Sequence, residues 1–117
     1  MTQEELISKV NEIAEVEENK EKFDRMVPLL LNGNGELRVA FEICRKGKLR
    51  FGEIKRTIPN ITGTVLINSL RNLESLGIIE RIQYNEVPPH VEYVSTEKGT
   101  RLLAVWYELM KWCIDEE

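Results

Sequence analysis

At 117 residues, 42 % of them hydrophobic, the chain has material for one domain with a modest core, which excludes wholesale disorder. No run approaches the roughly 18 uninterrupted apolar residues of a membrane span, and the two cysteines form no CxxC pair, which excludes the usual zinc framework. A net charge of −4 excludes a uniformly basic surface, yet residues 36–71 alone hold eight Lys/Arg against three Asp/Glu.

Thr2-x-x-Glu5 is a capping-box signature, with Thr2 as N-cap of a first helix. Leu6, Val10, Ile13 and Ala14 follow at helical spacing and draw an apolar stripe on an acidic helix. The stripe breaks off through Glu17–Lys22 and resumes with Phe23, Met26, Val27 and Leu30. This predicts two helices, or one bent helix, ending near Asn32-Gly33-Asn34-Gly35, with Pro28 in a first turn or at a kink. The opening Met1-Thr2-Gln3-Glu4-Glu5 has neither a basic nor an apolar signal region, so a cytoplasmic location is expected.

Glu36–Lys46 reads as the next helix, with Leu37, Ala40, Phe41 and Cys44 on one face and Gly47 as its stop. Leu49–Phe51 suits a short strand. Gly52–Ile58 suits a short helix with Ile54 and Ile58 inward, closed by Pro59-Asn60. Thr62 is placed to cap a longer helix that runs to about Leu76 and stops at Gly77.

Ile79–Tyr84 and Val91–Ser95 read as two strands around the tip Asn85–His90, a loop stiffened by Pro88-Pro89 rather than a two-residue turn. Thr96 starts the last helix, which carries Leu102, Leu103, Val105, Trp106, Leu109, Met110 and Trp112 on more than one face. A chain this short offers little to cover both terminal helices. A second copy would supply the lid and form a two-fold homodimer; the alternative is that both helices pack only on their own core.

Helix, turn, helix and hairpin in this order define a mostly α, α+β chain: a winged helix-turn-helix in a single domain. Residues 36–95 form its expected DNA-binding core, and 1–31 and 96–117 its expected dimerisation helices. Such a unit presents one helix and one hairpin to duplex DNA. Residues 1–25 (four basic, eight acidic) and 72–117 (four basic, nine acidic) are negative, so only the central third offers a footprint for a polyanion.

On a helical wheel of residues 62–76, Leu66, Leu70 and Leu73 fall together, and Thr64, Asn68, Arg71 and Ser75 lie opposite, flanked by Ile67 and Asn72. A stripe of short polar groups with one arginine fits a major groove about 12 Å wide. Asn68 suits an adenine edge, Arg71 a guanine or a phosphate, and Thr64 and Ile67 thymine methyls. The Thr62 cap aims helix N-terminal amides at a phosphate. Lys48, Arg50, Lys55 and Arg56 precede this helix and suit phosphates, which fix register and supply salt-dependent affinity. Arg81, at the base of the wing, either faces DNA or pairs with a nearby carboxylate. His90, at the tip, either touches the minor groove or backbone or is simply solvated. The competing reading is a winged-helix module that binds protein and has lost DNA affinity.

No His/Asp/Ser constellation, phosphate-cradling glycine loop or metal-ligand cluster is present in the sequence, so no enzyme, cofactor or metal is expected. Cys44 is expected in the core. Cys113, near the acidic tail, is expected to be more accessible, with a thiol sensor as its alternative role. Phe41, Trp106 and Tyr107 either line a small-molecule effector pocket or serve as plain packing.

The chain resembles the HxlR family, MarR-like winged-helix regulators of bacteria and archaea. The similarity rests on Gly47 with Arg50-Phe51-x-x-Ile54, Ile58-Pro59-x-Ile61-Thr62 and Leu66-x-x-x-Leu70-x-x-Leu73-Glu74. It continues in Gly77-Ile78-Ile79-Glu80-Arg81, Glu86-Val87-Pro88-Pro89-His90-Val91-Glu92-Tyr93, Thr96-Glu97-x-Gly99 and Trp112. The resemblance implies homodimers on near-palindromic, inverted-repeat operators. The family's Gly-Lys-Trp-like signature is replaced by Asn34-Gly35-Glu36, and the cysteine that many members carry upstream of it falls near Arg25. The resemblance therefore implies no cysteine redox switch at that place. The family's hydrophobic-after-serine ending of the third strand is reversed here as Val94-Ser95.

Overall fold

The computed structural model describes residues 1–22, 25, 35–58 and 60–116. The expectations for Phe23, Met26, Val27, Pro28, Leu30, Asn32–Asn34 and Pro59 lie outside these.

Helix α1 spans Gln3–Ala14 and opens as its capping residues require, with the Thr2 hydroxyl accepting from the Glu5 N–H at 3.1 Å. Its stripe turns inward: Val10 and Ala14 are buried, and Leu6, Ile7 and Ile13 pack partly against the core. A further helical stretch covers 17–22. Helix α2, Glu36–Lys46, is the central element, with Val39, Ala40, Phe41, Ile43 and Cys44 all buried. Its burial exceeds one face, because α1, the helices that follow and the sheet all pack against it.

Strand β1 is only Lys48–Leu49, and Phe51 already begins helix α3, Phe51–Thr57. The expected strand through Phe51 is thus cut short. The Arg50 N–H donates to Glu53 Oε1 at 2.8 Å, which starts the helix one residue early. Ile54 and Ile58 are buried as expected. Helix α4, Gly63–Ser75, is capped by Thr62, whose hydroxyl accepts from the Val65 N–H at 3.1 Å. It ends at Gly77, where φ is +75°, a backbone state that side-chain-bearing residues resist.

Strands β2, Ile79–Tyr84, and β3, His90–Ser95, pair antiparallel, and β1 adds to the far edge of β3, giving the order β1-β3-β2. The register pairs Leu49 and Arg81 with Tyr93, Ile79 with Ser95 and Tyr84 with His90. Leu49, Ile79 and Tyr93 therefore share the face that meets the core. Thr96 caps the final helical region, accepting from the Gly99 N–H at 3.1 Å. That region is two segments, α5 (Glu97–Arg101) and α6 (Leu103–Glu116), divided at Leu102, whose N–H donates to the Gly99 carbonyl three residues back (3.0 Å). Leu103, Trp106, Met110 and Cys113 close the core over α1 and α2, with the Trp106 and Phe41 ring centroids 5.7 Å apart.

Candidate nucleic-acid interface

Helix α4 is divided by its own packing. Leu66, Ser69, Leu70 and Leu73 are buried, and Thr64, Ile67, Asn68 and Arg71 are exposed on the other side. Among the described residues, no side-chain hydrogen bond or ion pair engages Thr64, Asn68 or Arg71, so their polar groups face outward uncommitted. The rest of the expected stripe is already occupied. Asn72 Nδ2 donates to Glu36 Oε1 at 2.7 Å, tying α4 to the start of α2, and the Ser75 hydroxyl donates to the Asn72 carbonyl at 2.8 Å. The outward face is thus shorter than the wheel suggests and is concentrated in the first two turns.

Lys48, Arg50 and Arg56, from β1 and the turn and helix that follow it, converge around an open concavity of about 460 Å³ that Leu49, Glu53 and Glu92 complete. Lys55 is exposed on α3 and does not line it. Two other cations of the basic third are turned inward. Arg38 Nε meets Glu42 Oε2 at 3.0 Å, and Arg45 meets Glu42 at 2.6 Å and Glu15 Oε1 at 2.6 Å. Asn11 Oδ1 also accepts from Arg45 Nη1 at 3.1 Å. Sequence reasoning counted these arginines in the footprint. The spacing Arg38, Glu42, Arg45 on one helix was the signal that an internal network was possible.

On the wing, Arg81 is exposed and makes no ion pair among the described residues. His90 is neither at the free tip nor simply solvated. It begins β3 opposite Tyr84, stacks on that ring with centroids 4.6 Å apart, and places Nδ1 3.3 Å from Glu86 Oε2. The tip itself is Val87, fully exposed, before a cis peptide to Pro88.

Residues 30–116 match the family model described as HxlR-like helix-turn-helix. The chain belongs to this family. The HTH-type transcriptional regulator YkvN of Bacillus subtilis, itself uncharacterised, is 52 % identical over 66 residues, 56 % of either chain. An uncharacterised HTH-type regulator of Methanothermobacter thermautotrophicus is 52 % identical over 68 residues, 58 % of this chain and 52 % of its own. The matched region thus spans about half the length of these two relatives. The reduced form of the transcriptional regulator YodB from B. subtilis superposes with a TM-score of 0.64 at 38 % identity, covering 71 % of this chain and 80 % of that one. The HxlR-like winged helix-turn-helix is therefore the fold of this chain.

Within this HxlR-like frame the thiols are structural in placement. Cys113 is 1 % exposed, which corrects the expectation of an accessible tail cysteine: α6 continues past it and turns it toward the core. Burial pushes both the Cys113 and the Cys44 thiols up, away from the reactive thiolate. Phe41 and Trp106 pack in the core. Tyr107 instead lines an open groove of about 640 Å³ between Met1–Leu6 and the α5–α6 junction.

Proposed function

We propose that this chain is a DNA-binding regulator of transcription that acts as a homodimer, with α4 entering the major groove. The observation that supports it most is the uncommitted Thr64–Ile67–Asn68–Arg71 face of α4, and the Lys48–Arg50–Arg56 concavity adds exposed cations from outside that helix. A reading helix needs short polar groups free of internal partners, and a phosphate clamp needs cations that converge from outside that helix. Asn68 reads adenine, Arg71 guanine or phosphate, and Thr64 and Ile67 thymine methyls. Lys48, Arg50, Lys55 and Arg56 hold phosphates together with the amides beneath Thr62, and Arg81 and the wing follow the flanking backbone or minor groove.

Dimerisation is assigned to the terminal helices of this single domain. Val105 and Trp112 are exposed and Leu109 is half-buried, and at i, i+4 and i+7 they form one apolar stripe on α6. A two-fold pairing of such stripes would bring two α4 helices to an inverted repeat. A regulator of this kind works in the cytoplasm.

The wing carboxylates Glu80, Glu86 and Glu92 favour a second reading, a protein-binding module. Equilibrium titration of labelled duplexes separates the two readings. The native protein should retain DNA and an Asn68→Ala, Arg71→Ala variant should lose most of that affinity. A native protein that retains no duplex would leave the module as the better account.

A further inference from the structure

We propose that His90 sets the charge and the placement of the wing on DNA, so that the wing grips a duplex more tightly when this imidazole is protonated. The inference rests on the DNA-binding reading above and deepens it at one residue.

His90 and Tyr84 form the last rung of the β2–β3 ladder, with ring planes 20° apart and centroids at 4.6 Å. The imidazole is held rather than loose: its side chain is 19 % exposed, whereas the Glu86 carboxylate beside it is 60 % exposed. Nδ1 and Glu86 Oε2, 3.3 Å apart, form an ion pair once the ring is protonated. The register places Glu92 on the same face, diagonal to Tyr84, and a hydrogen bond to Glu92 holds the Tyr84 phenol above the usual tyrosine range. The groups around the imidazole are therefore Tyr84 from β2, Glu86 from the tip and Glu92 from β3. Beyond Glu92 lie Lys48, Arg50 and Arg56.

This hairpin is acidic for an element laid against phosphates. Between Ile79 and Ser95 it carries Glu80, Glu86 and Glu92 against one arginine, Arg81. With a neutral imidazole, Glu86 stands unopposed at the tip and repels the backbone. With an imidazolium, Glu86 is neutralised in place and the last rung is pinned. An imidazolium draws the acidic wing toward phosphates and a neutral ring does not, so affinity falls as pH rises.

The test is unusually clean because the chain has one histidine. Across about pH 5.5 to 8, imidazole is the side chain whose unperturbed titration lies in the range. Affinity is measured by fluorescence anisotropy at fixed ionic strength on random-sequence duplexes about 30 base pairs long, or three helical turns. Native protein should weaken about fivefold from the acid to the alkaline end, the scale of one exposed charge contact. His90→Gln should be flat at the weak level, and His90→Lys flat at the tight level. Glu86→Gln should recover affinity at the alkaline end. A flat native profile, or a slope that persists in His90→Gln, overturns the proposal while leaving DNA binding intact. Native protein that binds no duplex at any pH overturns the DNA-binding reading and this inference with it.

Discussion

The Arg45 guanidinium stands 2.6 Å from the Glu42 carboxylate one turn back along α2, and the two side chains are only 3 % and 1 % exposed. Arg38 reaches the other Glu42 oxygen, and Asn11 and Glu15 bring α1 onto Arg45. An ion pair this deep is stable only while its charges are matched, because removing one partner strands the other away from water. Glu42→Ala should lower unfolding stability by about 3 kcal/mol, more than an exposed ion pair contributes. Arg45→Ala should cost a similar amount, and the double variant less than the sum of the two. Chemical denaturation measures all three.

Glu15 is the exposed end of this network. The hydrogen bond from Arg45 holds its carboxyl below the ordinary glutamate value of 4.5, against a smaller opposing effect of burial. A depressed folded value stabilises the fold at pH above the ordinary value, and that stability is lost as pH falls through the folded value. The side chain is 59 % exposed, so solvent screening limits the contribution to under about 1 kcal/mol. Native protein should therefore exceed Glu15→Gln in stability at neutral pH, and the gap should close on acidification below 4.5. Paired denaturation curves at neutral and acid pH check this.

Gly99 allows α5 to lie directly against the end of α4 and the base of the wing. A Cβ there would fall onto the Ile78 carbonyl and meet Cys44 Sγ at 3.1 Å. The obstacle is backbone, which cannot swing aside as a side chain would. Gly99→Ala should cost about 1 to 3 kcal/mol, the usual range for overpacking, and lower the thermal midpoint. It should also weaken DNA binding through the displaced wing base.

The concavity formed by Lys48, Arg50 and Arg56 has a distinct signature. Each phosphate contact contributes about −0.9 to the slope of log K against log salt on B-form DNA. Lys48→Gln, Arg50→Gln and Arg56→Gln should each flatten that slope by roughly this amount and weaken binding to all sequences alike. Asn68→Ala should instead reduce discrimination between sequences with little change in slope.

What the sequence made legible was governed by local rules. Thr2, Thr62 and Thr96 cap the helices they begin, and Leu66, Leu70 and Leu73 are buried at the spacing that placed them inward. The hairpin and the short strand at Leu49 were legible, whereas the pairing of β1 with β3 that sets the order β1-β3-β2 was not. What escaped were contacts between distant residues. The spacing of Arg38, Glu42 and Arg45 allows a network along α2, but nothing local shows that Arg45 is buried and also meets Glu15, whereas Lys46 is exposed one residue later. Nor does it reveal that Asn72 is held by Glu36, that His90 stacks on Tyr84, or that Cys113 faces the core. Each of these depends on the tertiary fold, which periodicity does not encode.

The central claim is that the exposed face of α4 reads a two-fold operator. The most direct measurement is selection of binding fragments from sheared genomic DNA at near-physiological salt, with native protein and the Asn68→Ala, Arg71→Ala variant run in parallel. Native protein should enrich an inverted repeat with half-sites about one helical turn apart, which the variant fails to recover. Equal enrichment of the same sequence by both proteins would contradict the assignment of reading to α4.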